Sequence, residues 1–258
     1  MSTRAIRAQL PTDVVYVSGT VNGTAYDWTL VDTAWQATVD RATDETYAVS
    51  LTAVTALGVS TDYNFTLFYG LLSLITDRTQ ADVDRVRQLA QKGFGNMTAD
   101  EKTEWLNGLK GAYNASDLNR VGNAVNYLSG RLTKLPEDVR AYLESKGVAP
   151  DAFFAIPYDP ALYEIQAKIT WQIPDIPMES EMAEYLSNVI LVCSAFDYER
   201  DPLPESMHHL TFDGANAIEK ALLGLDGEIT SWKANTEKLI DNTSALWFYS
   251  GEVQSAEI

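Results

Sequence analysis

The spacing of the apolar residues changes once along the chain, at Gly70, and this change constrains the fold more than any single motif does. Before it, apolar side chains alternate with polar ones: Trp35, Ala37 and Val39 against Gln36, Thr38 and Asp40, then Tyr47, Val49, Leu51 and Ala53 against Ala48, Ser50 and Thr52. Tyr63, Phe65, Leu67 and Tyr69 repeat the pattern. A period of two belongs to strands with one face buried. Val14-Val15-Tyr16-Val17 adds a β-branched, aromatic run, and Asn22-Gly23 marks a tight hairpin turn between strand-like segments. After Gly70 the spacing becomes three to four, the mark of helices with one buried face.

Helix boundaries can be read in the second part. Thr79 with Asp82 predicts an N-terminus, followed by Val83, Val86 and Leu89 at helical spacing and a stop at Gly93-Phe94-Gly95. Thr98 and Glu101 fit a capping box ahead of Trp105, Leu106 and Leu109. Asn114 or Ser116 caps a helix carrying Leu118, Val121, Val125, Leu128 and Leu132, and Pro136 suits the first turn of a separate helix ending at Gly147. Residues 148–176, with four prolines, read as an irregular connector, and a strand within Tyr163 to Trp171 remains open. A helix then runs from Pro177 to about Ala195, and a final one starts near Asp213. The expected class is therefore α+β and multidomain: a minimal antiparallel β-sandwich at residues 1–70, since seven strands would be crowded there, followed by a mostly helical domain at residues 71–258. The hairpin from Tyr47 to Tyr69 looks like the final strand pair of an immunoglobulin-like module.

Charge and cysteine content narrow the function. The formal charge is −17, and residues 171–258 hold 4 Lys/Arg against 16 Asp/Glu. Such a surface repels phosphate backbones and anionic membranes, so nucleic-acid binding is not expected. No run reaches the roughly 18 apolar residues of a membrane span, and the start lacks the apolar core of a signal peptide, so membrane insertion is not expected either. The lone Cys193 sits in the run Val189 to Val192 and reads as a small buried hydrophobe.

A resemblance covers most of the chain. Trp35 to Ala42 and Tyr47 to Val54 resemble the end of an immunoglobulin-like module found in tail- and baseplate-associated proteins of phages and prophages of Gram-positive bacteria. The stretches Tyr69-Gly70-Leu71, Ile75 to Val83, Met97 to Glu101 and Leu109 to Val121 resemble the helical region that follows it there, as do Asp175-Ile176-Pro177, Ala215 to Glu219 and Trp247 to Glu252. The resemblance implies a non-enzymatic, virion-associated structural or adhesive protein, synthesised in the cytoplasm, whose partners are other tail proteins or a cell-surface glycan. It supplies no catalytic residues and no cofactor. A host-encoded surface adhesin and a glycan-active enzyme are the competing readings.

The candidate sites are few. Tyr26 and Trp28 are candidates for an exposed ligand contact, with Trp28 also readable as core. Trp247, Phe248 and Tyr249 form an aromatic group for self-association or for sealing the helical core. Asp197, Glu199 and Asp201 alternate and are weak candidates for a metal, while His208 and His209, expected on different faces of a helix, do not share an ion. No nucleophile elbow, phosphate loop or isolated carboxylate pair is present, so no catalytic residue is expected.

Overall fold

The structure, a computed structural model, describes residues 3–42, 46–148, 156–172 and 175–253; the side chains of residues 107 and 243–253 lie outside that description. The chain forms two compact units, Met1–Ser73 and Leu74–Ile258. Together they make an α+β protein with two antiparallel sheets and five α-helices among the described residues.

Among its described residues the first unit holds seven strands, more than the minimal sandwich expected from its length: β1 (Thr3–Ala8), β2 (Val14–Val21), β3 (Thr24–Asp27), β4 (Thr29–Val31), β5 (Ala34–Asp40), β6 (Thr46–Thr55) and β7 (Ser60–Phe68). They fit because β3 and β4 are only four and three residues long. One sheet has the order β1-β5-β4 and the other β3-β2-β6-β7. Inward residues of both sheets, among them Ile6, Val17, Trp35, Val39, Tyr47 and Leu51, form one apolar cluster. At the β2–β3 turn, Asn22 (φ 50°) and Gly23 (φ 78°) are both left-handed, the geometry an Asn-Gly hairpin supplies. The Asn22 side chain also donates to the Thr46 carbonyl and accepts from the Ala48 N–H, tying the turn to β6.

The second unit contains α1 (Gln80–Lys92), α2 (Ala99–Asn107), α3 (Ala115–Ser145), α4 (Glu179–Cys193) and α5 (Phe212–Val253). Capping boxes at Thr79/Asp82 and Thr98/Glu101 start α1 and α2, and Asn114 with Asp117 starts α3. Two separate helices were expected across Pro136, but α3 runs through it. A proline lacks the N–H that would bond the carbonyl four residues back. That carbonyl, on Leu132, accepts the Tyr158 hydroxyl at 2.9 Å instead, so its acceptor is satisfied and the helix continues.

Helices α3 and α5 run parallel and are laced by rungs of alternating sign. Arg131 pairs with Asp226, Lys233 with Asp138 at 3.1 Å, and Lys146 with Asp241 at 2.8 Å. The two helices are in contact, and Val121, Leu128, Leu132 and Leu135 of α3 and Ile218, Leu222, Leu225 and Ile229 of α5 are all buried. Spacings near seven bring facing charges of two helices together, and the alternation fixes one register over its neighbours.

The connector resolves into a 3-10 turn at Pro160–Tyr163 and an extended stretch without strand pairing. This stretch lies along α3 as a strap. Asn126 accepts from the Ala167 N–H and donates to its carbonyl, and Asn119 does the same with Trp171. Ser129 accepts from the Ile165 N–H. Gly122 lets the strap approach: a Cβ there would stand 2.6 Å from the Lys168 carbonyl oxygen. Three polar side chains on one helical face thus take over the bonding that a neighbouring strand would supply.

Candidate functional site

Chemistry in the second unit concentrates where α3 and α5 meet the segment ahead of α1. Arg78 is almost fully buried and donates to the Ile75 and Lys110 carbonyls, at 2.7 and 3.1 Å. Its remaining guanidinium nitrogen reaches Asp117 at 2.9 Å and Glu219 at 2.7 Å. Arg120, one turn along α3 from Asp117, bonds both carboxylates as well. Glu219 has no solvent exposure. Its second oxygen accepts from the Ile75 N–H and from Arg120, while the second oxygen of Asp117 accepts the Asn114 N–H at the cap of α3. Asn216, one turn before Glu219 on α5, accepts from the Arg78 N–H and donates to its carbonyl, both at 2.9 Å.

Two guanidinium groups thus face two carboxylates, and all four carboxylate oxygens hold protein donors. Burial works against the charge of Arg120, yet the bonds and charges of Glu219 and Asp117 outweigh it and raise its pKa above the ordinary value. Beside the cluster the Tyr113 and Tyr185 hydroxyls meet at 2.6 Å, and burial holds both phenols well above their usual range. The Tyr113 ring lies 5.4 Å from the Arg78 guanidinium. A general acid or base needs a free position toward a substrate. This cluster offers none; it pins residues 75–78 to α3 and α5.

In the first unit, the aromatic candidates are placed differently from the expectation. Trp28 is 7% exposed and belongs to the apolar cluster, which corrects its reading as an exposed contact. It links β3 to β4, so its ring enters the core where the chain passes from one sheet to the other. Its indole N–H has no hydrogen-bond partner among the described residues. Tyr26 is half-buried and packs against the same cluster. The outward face of the four-stranded sheet carries Thr20, Ser50 and Asn64 in one row, with the Ser50 hydroxyl bonded to Asn64 at 2.6 Å and that of Thr52 to Asp62 at 2.7 Å. A shallow depression of about 360 Å³ lies there, lined by Thr20, Gly23, Ala48, Val49, Ser50, Asn64, Phe65 and Thr66. Ser50, Asn64 and Thr66 of this lining belong to the polar half of the alternation, whose short side chains give no site signal in the sequence.

One end of the same sheet is apolar. Val15 and Tyr16 lie at a bulge in β2, and Leu57 and Val59 in the β6–β7 turn, exposed by 60, 59, 91 and 57%. The Ala56 N–H donates to the Asp13 carbonyl, which holds that turn beside the start of β2.

The remaining candidates do not assemble. Asp197, Glu199 and Asp201 are exposed, and among the described residues no group of three His, Cys, Asp or Glu side chains could hold a metal ion. Arg200, set between them, turns back to the Cys193 carbonyl at the end of α4. His208 and His209 sit in a turn rather than on a helix, rings 3.9 Å apart, with His209 left-handed. Cys193 is buried, and burial raises its thiol pKa. Trp247, Phe248 and Tyr249 fall within α5, their side chains outside the described residues. No helix among the described residues is long and apolar enough to cross a membrane. No protein-family model, curated protein or solved structure matches the chain.

Proposed function

We propose that the chain is a non-enzymatic structural component of a phage or prophage tail, with an immunoglobulin-like β unit as its contact end and the helical unit as its scaffold. One observation carries the binding half of this reading: the apolar end of the β unit formed by Val15, Tyr16, Leu57 and Val59. Four large apolar side chains exposed at one end of the sheet favour a partner that covers them. Aliphatic residues dominate the group, and the candidate stacking ring of Trp28 is buried, so the reading favours an assembly protein over a glycan.

Two features support the finer parts. The Tyr47 hydroxyl, at the start of β6, accepts the Ala42 N–H at 3.0 Å, a corner resembling the one that immunoglobulin-like sandwiches build at this point. The buried Arg78–Asp117–Glu219–Arg120 cluster is spent on holding helices, which suits a scaffold.

The test pairs binding with turnover. Leu57→Ser combined with Val59→Ser is expected to reduce binding to purified tail particles at least tenfold without changing the melting temperature. Retention on a glycan array that survives this double change would move the contact elsewhere. Saturable hydrolysis of a glycoside, ester or peptide by the purified chain would sink the non-enzymatic reading.

A further inference from the structure

Four strands form the edges of the two sheets, and three of them are poor templates for another strand. β3 and β4 have four and three residues, and β1 carries Arg4 and Arg7. Short length and basic side chains are the usual protections of a sheet edge. β7 has neither. All nine of its residues pair with β6, from Ser60 opposite Val54 to Phe68 opposite Thr46, without a register shift. Its sequence, Ser-Thr-Asp-Tyr-Asn-Phe-Thr-Leu-Phe, contains no proline, glycine, lysine or arginine. Ser60 to Asp62, Asn64 and Thr66 are exposed, while Tyr63, Phe65 and Leu67 are only partly covered where they pack on the core.

We propose that β7 pairs with β7 of a second copy, antiparallel, about a two-fold axis at Asn64. This register is self-complementary. Tyr63 falls opposite Phe65 of the second copy and Thr61 opposite Leu67, so each half-covered aromatic gains a cross-strand neighbour. On the outward face Asp62 meets Thr66, and Asn64 meets itself. Centring the pair on Asp62 would instead set two carboxylates opposite each other, which is unfavourable. The result is a continuous eight-stranded sheet with no β7 edge left, an isologous contact of the commonest oligomer symmetry. The inference stands apart from the tail reading, since it rests on the edge alone.

The test uses the whole chain. Light scattering across a concentration series is expected to show a monomer–dimer equilibrium, and Asn64→Asp, which keeps an acceptor for Ser50 while facing two carboxylates across the axis, to weaken it about tenfold with an unchanged melting temperature. Directly opposed Cα atoms in an antiparallel pair are about 4.5–5.5 Å apart, within disulfide reach. Oxidised Asn64→Cys should therefore give a covalent dimer, and Thr66→Cys alone should not, while mixed Asp62→Cys and Thr66→Cys chains should cross-link to each other. Cys193, fully buried, supplies the unreactive control in the unmodified chain. A monomer at every concentration, or a failure of Asn64→Cys to cross-link, overturns the proposal, as does equal cross-linking by Thr66→Cys alone.

Discussion

With both oxygens of Glu219 occupied by Ile75, Arg78 and Arg120, truncating this side chain leaves two guanidinium groups short of a counter-charge in a buried place. Loss of one partner of a buried pair costs about 3–5 kcal/mol. Glu219→Ala should lower the urea midpoint by an equivalent amount at an unchanged slope; a loss under about 1 kcal/mol would mean that the cluster relaxes or hydrates freely. Glu101 makes a different kind of prediction, since it sits at the surface. The Lys92 ammonium and then the Thr98 N–H hold its carboxyl at about 2, against an ordinary 4.5. A depressed carboxyl stabilises the fold above its unfolded pKa and loses that contribution as the pH falls toward the folded one. The gap in melting temperature between the unmodified chain and Glu101→Gln should therefore be full at neutral pH and close between about 4.5 and 2. A gap that ignores pH contradicts this. Glu101 was legible from its spacing to Thr98. Glu219 was not, because its partners lie 141 and 99 residues away. Its one local signal is a carboxylate set among Ala215, Ala217, Ile218, Ala221 and Leu222, a helix surface apolar on nearly every side.

Among the elements, α3 departs most from what its sequence suggests, and Tyr158 is the reason. Its hydroxyl fills the acceptor that Pro136 leaves on Leu132, and burial raises that phenol to about 12. Tyr158→Phe should cost about 1–3 kcal/mol by stranding a buried carbonyl. In a Pro136→Ala background, where a backbone N–H returns to that carbonyl, the same change should cost distinctly less. Equal costs in both backgrounds, measured by denaturant unfolding, would show that the two residues act separately. A helix-interior proline could not be read as tolerated without knowing that a distant tyrosine reaches it. Strand β1 is not legible in the sequence for a related reason: within Thr3–Ala8 only Ile6 and Ala8 are buried, too short an alternation to register. The strap along α3 escaped because its backbone is satisfied by Asn119, Asn126 and Ser129, which look like solvated helix residues when read singly. By contrast β5, β6 and β7 carry their inward residues in strict alternation, and the capped starts of α1 and α2 need only residues three apart.

At the scale of the molecule, the two apolar periods correspond to two compact units, one of strands and one of helices. The helical unit spends its buried charges, and part of its surface charge, on internal pairing: the Arg78 cluster, the three α3–α5 rungs, and Lys168 with Glu181 at 2.9 Å. The β unit keeps exposed features: an apolar end, a polar sheet face and the long edge of β7. This division of labour is what the proposed role requires, a scaffold at one part of the chain and a contact surface at another. The direct measurement is quantitative mass spectrometry of tail particles purified on a density gradient from the strain that carries the gene. Peptides of this chain should sediment with the particles, in fixed ratio to the other tail proteins and resistant to high-salt washing, as an apolar contact would be. Recovery of the chain only in the soluble fraction at the top of the gradient would contradict it.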